Sequence, residues 1–135
     1  MALIEWSASL SVGINEIDDQ HKVLIGLINR LNEAMKTGQG KAALGAILKE
    51  TADYTASHFA VEENYMTKFN YTGLARHKIE HKSLIDQVLK LAKDFDSGKI
   101  TITMDAMTFL KEWLAKHIQG TDKLYVSCFT QNGVK

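Results

Sequence analysis

Five histidines, His21, His58, His77, His81 and His117, each fall on an apolar stripe that repeats every three or four residues. The stripes read His21, Leu24, Ile25, Ile28, Leu31, Met35; then Leu44, Ile47, Leu48, Thr51, His58, Glu62, Tyr65, Met66, Phe69; then Leu74, His77, His81, Leu84, Val88, Leu91, Phe95; and last Met107, Leu110, Leu114, His117. That spacing keeps residues on one helical face, so all five imidazoles and the carboxylate of Glu62 are expected to point inward. Imidazoles and an ionised carboxylate are costly in an apolar interior unless they are paired or bound to a metal. A lone inward histidine is most simply a hydrogen-bonded core residue. Every histidine of the chain together with an inward glutamate points instead to a metal site. Neighbouring Glu63 is expected to face solvent. Asp122 lies five residues past His117, rotated off its face by about 140° in a regular helix. Gly120 can loosen that last turn and let the carboxylate swing inward; otherwise Asp122 is a solvated tail residue.

Nitrogen and carboxylate donors without thiolate suit iron, manganese, zinc or copper rather than Cu(I) or an iron–sulfur cluster. Five imidazoles with two carboxylates exceed the needs of one tetrahedral zinc, so two metals sharing the carboxylates is the economical arrangement. His77-Lys78-Ile79-Glu80-His81 also fits H-x-x-E-H, a metalloprotease pattern with Glu80 as general base. That reading leaves His21, His58 and His117 unused and asks for a cleft that a small bundle does not offer. Ferritin-like di-iron sites use Glu-x-x-His, and no Glu of this chain has a His three residues later. A Cys–His arrangement fails because Cys128 sits in the tail with no histidine left for it, so it is a packed or free thiol.

Four long periodic segments must position these groups. The first runs from about Asp18 to Met35, with Asp18 or Asp19 as N-cap and Thr37-Gly38-Gln39-Gly40 as its stop. The second spans about Lys41 to Phe69 and ends near Asn70-Tyr71-Thr72-Gly73; the third spans Leu74 to Phe95 and closes at Asp96-Ser97-Gly98. The fourth spans about Thr103 to Gln119 and meets Gly120; residues 1–17 read as an irregular arm and 123–135 as a short tail. Short connections between such helices predict an all-α, antiparallel up-down-up-down four-helix bundle with an irregular N-terminal arm. His21 opens the first helix, His58 and Glu62 lie late in the second, His77 and His81 open the third, and His117 closes the fourth. Antiparallel packing therefore gathers them at one end.

The chain has 135 residues, enough for one domain (1–135) with a single core. Lys plus Arg (16) cancels Asp plus Glu (16), so no basic stripe invites nucleic acid. The absence of proline permits long unbroken helices. A single cysteine excludes an internal disulfide and every multi-cysteine metal cluster. The longest apolar run, Val23 to Ile28, falls far short of the roughly 20 residues a membrane span needs. No basic region precedes Glu5, so no signal peptide is expected and a cytoplasmic location is.

Trp6 and the stretch Ser11 to His21, His58-x-x-x-Glu62, His77-x-x-x-His81 and His117-x-x-x-x-Asp122 together resemble the motif set of the hemerythrin family, specifically single-domain bacterial hemerythrins. The resemblance covers nearly the whole chain, and all seven ligand positions carry the family's residue types. It implies a di-iron centre with an oxo or hydroxo bridge. His77, His81 and His117 would hold one iron, His21 and His58 the other, and Glu62 and Asp122 would bridge them. Five imidazoles, four carboxylate oxygens and a shared bridge leave one octahedral position open, on the iron with two histidines. The resemblance also implies an apolar wall around that position; Leu24, Phe59, Trp113 and Leu114 flank the ligands, although each could equally be simple core. The function implied is reversible binding of dioxygen, not an enzymatic reaction, for storage, transport or delivery to an oxygen-consuming enzyme, by a monomer. Oxygen or redox sensing is an alternative, though no output module is present. So is a di-iron stress or repair protein handling iron or nitric oxide, whose relatives carry an N-terminal Cys-bearing region absent from residues 1–17.

Overall fold

The structure, a computed structural model, describes residues 3–38, 40–97 and 104–135, with side chains apart from those at 41, 104 and 105. Gln39, Gly98 and Thr103, expected at helix boundaries, lie outside the described residues. Four long helices carry the fold: α1 (Asn15–Lys36), α2 (Lys41–Lys68), α3 (Leu74–Asp96) and α4 (Met104–Lys116). The 37–40 and 69–73 connections are short enough to force antiparallel neighbours, and α1 packs on both α2 and α4. The result is the expected up-down-up-down bundle, with no strand among the described residues.

Two helix ends set the level of the site. α1 begins at Asn15, a turn earlier than expected, and Asp18 is not its N-cap. Asp18 sits inside the first turn, where a carboxylate complements the helix dipole. From there it reaches back to accept hydrogen bonds from the Val12 N–H (2.8 Å) and the Ser11 hydroxyl (2.5 Å). Gly13, with φ +75°, makes the bend between arm and helix that this grip requires. The arm is therefore ordered: Ile4, Leu10, Val12 and Ile14 are buried, and Ile4 exchanges two backbone hydrogen bonds with the Asn29 amide. At the far end of α2, Asn70 takes a left-handed conformation (φ 53°). The Tyr71 N–H bonds the Met66 carbonyl and the Asn70 N–H bonds that of Thr67, a Schellman closure that turns the chain into α3.

The bundle core is apolar at one end and polar at the other. Leu24, Ile28, Leu31, Leu48, Met107 and Leu110 are fully buried, whereas Met35, Leu44, Tyr65, Phe69, Leu74, Leu84 and Leu91 from the same stripes are only half-buried. The C-terminal segment is not a loose tail. After α4 come a π-helical turn (His117–Thr121), a 3-10 turn (Asp122–Tyr125) and a short helix, α5 (Val126–Gln131). Tyr125 and Phe129 are fully buried and stack on each other at 4.3 Å, closing the polar end of the core.

Candidate metal centre

His21 comes from the second turn of α1, His58 and Glu62 from successive turns of α2, His77 and His81 from the opening of α3, and His117 and Asp122 from the two ends of the π turn. None of the seven exceeds 3% exposure. Their donor atoms converge: His21 Nε2 lies 3.1 Å from Asp122 Oδ2, while His77 Nε2 and His117 Nε2 lie 3.2 and 3.0 Å from Asp122 Oδ1. Glu62 Oε1 lies 3.2 Å from His58 Nε2 and 3.4 Å from His81 Nε2. Two overlapping groups result, Glu62–His77–His81–His117–Asp122 and His21–His58–Glu62–Asp122, each with donor atoms within 4.8 Å of one another. Both carboxylates belong to both groups.

Asp122 reaches this place through helix geometry. The Asp122 N–H bonds the His117 carbonyl, an i→i+5 pattern that absorbs one extra residue in the turn. An offset of about 140° thereby falls to about 40°, which puts Asp122 under His117. The expected mechanism, freedom at Gly120, is not what operates. Gly120 has no positive φ, and a Cβ there would meet nothing within 4 Å.

The rings are held from behind by residues on neighbouring elements. The Nδ1 of His58 meets Gln20 Oε1 at 2.6 Å, that of His81 meets Glu63 Oε2 at 2.9 Å, and that of His117 meets Glu80 Oε1 at 2.8 Å. Glu63 is thus not a solvated bystander, and Glu80 is occupied as an acceptor rather than free as a general base; Thr121 donates to the same Glu80 oxygen at 2.7 Å. Burial pushes the Glu80 carboxyl up, but Thr121 and His117 together hold it below the usual range. The Tyr125 hydroxyl donates to Glu62 Oε2 at 2.5 Å. No local sequence signal marked Gln20, Glu63, Glu80 or Tyr125 as partners, because each acts on a side chain 18 to 63 residues away.

With Nδ1 committed as donor, Nε2 presents a lone pair. His81 Nε2 and His117 Nε2 nevertheless face each other at 3.2 Å. His21 Nε2, His58 Nε2, Glu62 Oε1 and Asp122 Oδ2 are all buried with no hydrogen-bond partner. Lone pairs pointed at one another in a dry interior are stable only with cations between them, or with protons in their place. Without metal the protons gather there: burial pulls His117 down, but Asp122, Glu62 and Glu80 raise it to about 9, and Asp122 is driven well below the usual carboxylate range. The donor set therefore fits two cations sharing two carboxylates.

Leu24, Phe59, Trp113 and Leu114 are all buried near the ligands in sequence. Phe59 stacks flat on His81 (3.7 Å, 3°) and stands edge-on to Trp113 at 6.4 Å.

Orienting partners of metal-bound histidines are worth about 10–100-fold in metal affinity. Glu63→Ala and Glu80→Ala are each expected to lose that much in competition with a chelator while still filling at saturating metal. Affinities equal to the unsubstituted protein's in both variants would show that these carboxylates do not steer the rings.

A family model described as the Hemerythrin HHE cation binding domain matches residues 12–129. The chain is 35% identical to a bacteriohemerythrin of Methylococcus capsulatus over 131 residues, covering 96% of this chain and 99% of that one. It is 39% identical to a bacteriohemerythrin of Stenotrophomonas maltophilia over 125 residues, covering 93% of this chain and 80% of that one. A crystal structure of a wild-type hemerythrin superposes with a TM-score of 0.90 at 35% identity, covering 96% of this chain and 99% of the other.

Proposed function

The chain belongs to the hemerythrin family, and from that premise we propose that it binds dioxygen reversibly at a di-iron centre. His77, His81 and His117 would hold one iron and His21 and His58 the other, with Glu62 and Asp122 shared between them. The single observation that carries the reading is the pair of overlapping donor groups: three imidazoles in one and two in the other, sharing both carboxylates. Unequal imidazole counts leave the two-histidine side with room for a small ligand. When bound, the two irons supply the electrons that dioxygen draws on.

The rest of the work falls to side chains. Leu24, Phe59, Trp113 and Leu114 form an apolar cover that keeps water from the ligand position. Gln20, Glu63 and Glu80 hold the rings of His58, His81 and His117 in place from behind. Glu62 and Asp122 face the ring nitrogens at 3.0–3.4 Å as members of both donor groups, so neither is a spare buried acid placed to deliver protons to a ligand. That combination suits a binder rather than an enzyme. The protein acts as a single cytoplasmic domain and monomer, storing, carrying or delivering dioxygen to an oxygen-consuming enzyme; no helix among the described residues is long and apolar enough to cross a membrane.

The test is metal analysis with optical spectroscopy. Two irons per chain and a visible band that appears in air and disappears under vacuum, through repeated cycles, are expected. One zinc per chain in protein made with iron present, or a band that does not return, would overturn the reading.

Leu114 supplies a finer prediction. It lies one turn before His117, whose ring leans back over that turn, and is 2% exposed. Leu114→Ala and Leu48→Ala should each lose roughly 2–5 kcal/mol of stability as core truncations. Leu48 sits ten residues before His58, about 15 Å along α2. Only Leu114→Ala should hasten decay of the oxygenated spectrum, by about tenfold, equivalent to about 1.4 kcal/mol of barrier. Equal decay in the two variants makes Leu114 plain core.

A further inference from the structure

Against the three-imidazole side of the centre, the 69–73 connection, α3 and the C-terminal turns leave a hollow of about 350 Å³. Tyr71, Arg76, His77, Glu80, Thr121 and Leu124 line it. Two imidazoles are within immediate reach of this hollow. The His77 ring forms part of its wall, and His117 is joined to it through the Glu80 carboxylate at 2.8 Å. Both belong to the donor group that has no room for a further small ligand, so entry here does not serve dioxygen.

The rim has a distinct surface chemistry. Ile79 and Leu124, at 72% and 66%, are the most exposed large apolar side chains among the described residues. Leu124 lines the hollow, and Ile79 stands one turn beyond Arg76 and next to Glu80. Every acid in the flanking segments 61–83 and 117–125 is committed to the centre: Glu62 and Asp122 as shared carboxylates, Glu63 and Glu80 as acceptors for His81 and His117. Lys68, Arg76, Lys78 and Lys123 of the same segments are exposed. In a chain of zero net charge, the segments that flank the hollow thus carry these four exposed cations and two exposed apolar side chains beside a wall that includes His77.

We propose that this face docks an acidic one-electron-transfer protein that returns the oxidised centre to its ferrous state. The inference rests on the di-iron reading above. Opposite surface charges steer encounter, and a small apolar contact gives short-lived registration. Each reduced donor gives one electron and is itself oxidised. Two successive encounters convert two ferric ions to ferrous, with the accompanying proton taken from solvent.

The probe is a reduced [2Fe–2S] ferredoxin, an acidic protein, with iron-loaded full-length chain oxidised in air. Arg76→Glu combined with Lys78→Glu is expected to slow reduction by ferredoxin at least tenfold at low salt, with the difference collapsing in 0.5 M salt, where charges are screened within a few ångströms. Calorimetry with oxidised ferredoxin, in which no electron moves, should show weakening of the same order. Lys36→Glu, at the opposite end of α1, should match the unsubstituted protein in both measurements. Dithionite should reduce all three proteins to completion, which shows that each centre is intact. Ferredoxin binding and reduction unaffected by the double reversal, or affected equally by Lys36→Glu, would overturn the docking face. Failure of dithionite to reduce even the unsubstituted protein would remove the di-iron premise, and the proposal with it, and that result is distinguishable from the first.

Discussion

Replacing Glu62 with alanine is expected to leave a folded bundle that no longer holds two metals. Glu62 belongs to both donor groups, so its loss removes a ligand and a negative charge from each. Asp122 alone would then face two cations and five imidazoles in a site that excludes water. Removing one partner of a buried charge pair costs roughly 3–5 kcal/mol, which is about two to four powers of ten in an equilibrium constant. The substitution also strips the Tyr125 hydroxyl of its acceptor. Metal analysis should therefore fall from two ions per chain to one or none. Glu62→Gln keeps an acceptor for Tyr125 and the shape of the side chain while removing the charge, and should fail to the same degree if charge is what matters. Adjacent Glu63→Ala, which leaves both donor groups whole, should still fill at saturating metal. Equal stoichiometry in Glu62→Ala and Glu63→Ala would mean that Glu62 is not a shared ligand.

Stripping the metals from the unsubstituted protein should lower its stability by several kcal/mol. Four partnerless ligand atoms, His21 Nε2, His58 Nε2, Glu62 Oε1 and Asp122 Oδ2, and the opposed Nε2 atoms of His81 and His117 would then share one dry space. Protons can relieve part of the conflict, as the raised His117 shows, but they do not supply the charge of two cations. For a domain of this size each kcal/mol moves Tm by roughly 3–5 °C, so chelation should lower it by about 10–20 °C. Calorimetry before and after exhaustive chelation checks this, and an unchanged Tm would show that the seven side chains do not hold metal.

The part of this architecture legible in the sequence is the part that obeys a local period. His21, Glu62 and His81 announce themselves because three- and four-residue spacing puts them in phase with Leu24, Met66 and Leu84. Helix bounds were legible to within a few residues, and missed where a side chain acts at a distance: Asp18 looks like a cap by type, yet it grips Val12 across Gly13. The partners of the rings were illegible singly, but they share a pattern. Gln20, Glu63, Glu80 and Thr121 each stand one residue from a ligand. A step of one residue turns a side chain by about 100°, out of the bundle axis and over the seam with the next helix, where it meets that helix's histidine or its acceptor. Knowing which seam requires the packing, and the packing is not a local property.

A helix is also a clock, and the turn from His117 to Thr121 resets it. One residue absorbed there retards every later side chain by about 100° relative to α4. Beyond it Tyr125 and Phe129, four residues apart and fully buried, keep regular time with each other. A gene that gained or lost one codon between 118 and 121 would encode nearly the same composition and the same four helices. It would still swing Asp122, Tyr125 and Phe129 together away from the centre, whereas an added codon in the 69–73 loop could be taken up as slack. Heredity must conserve a count here, and not only a set of residue types.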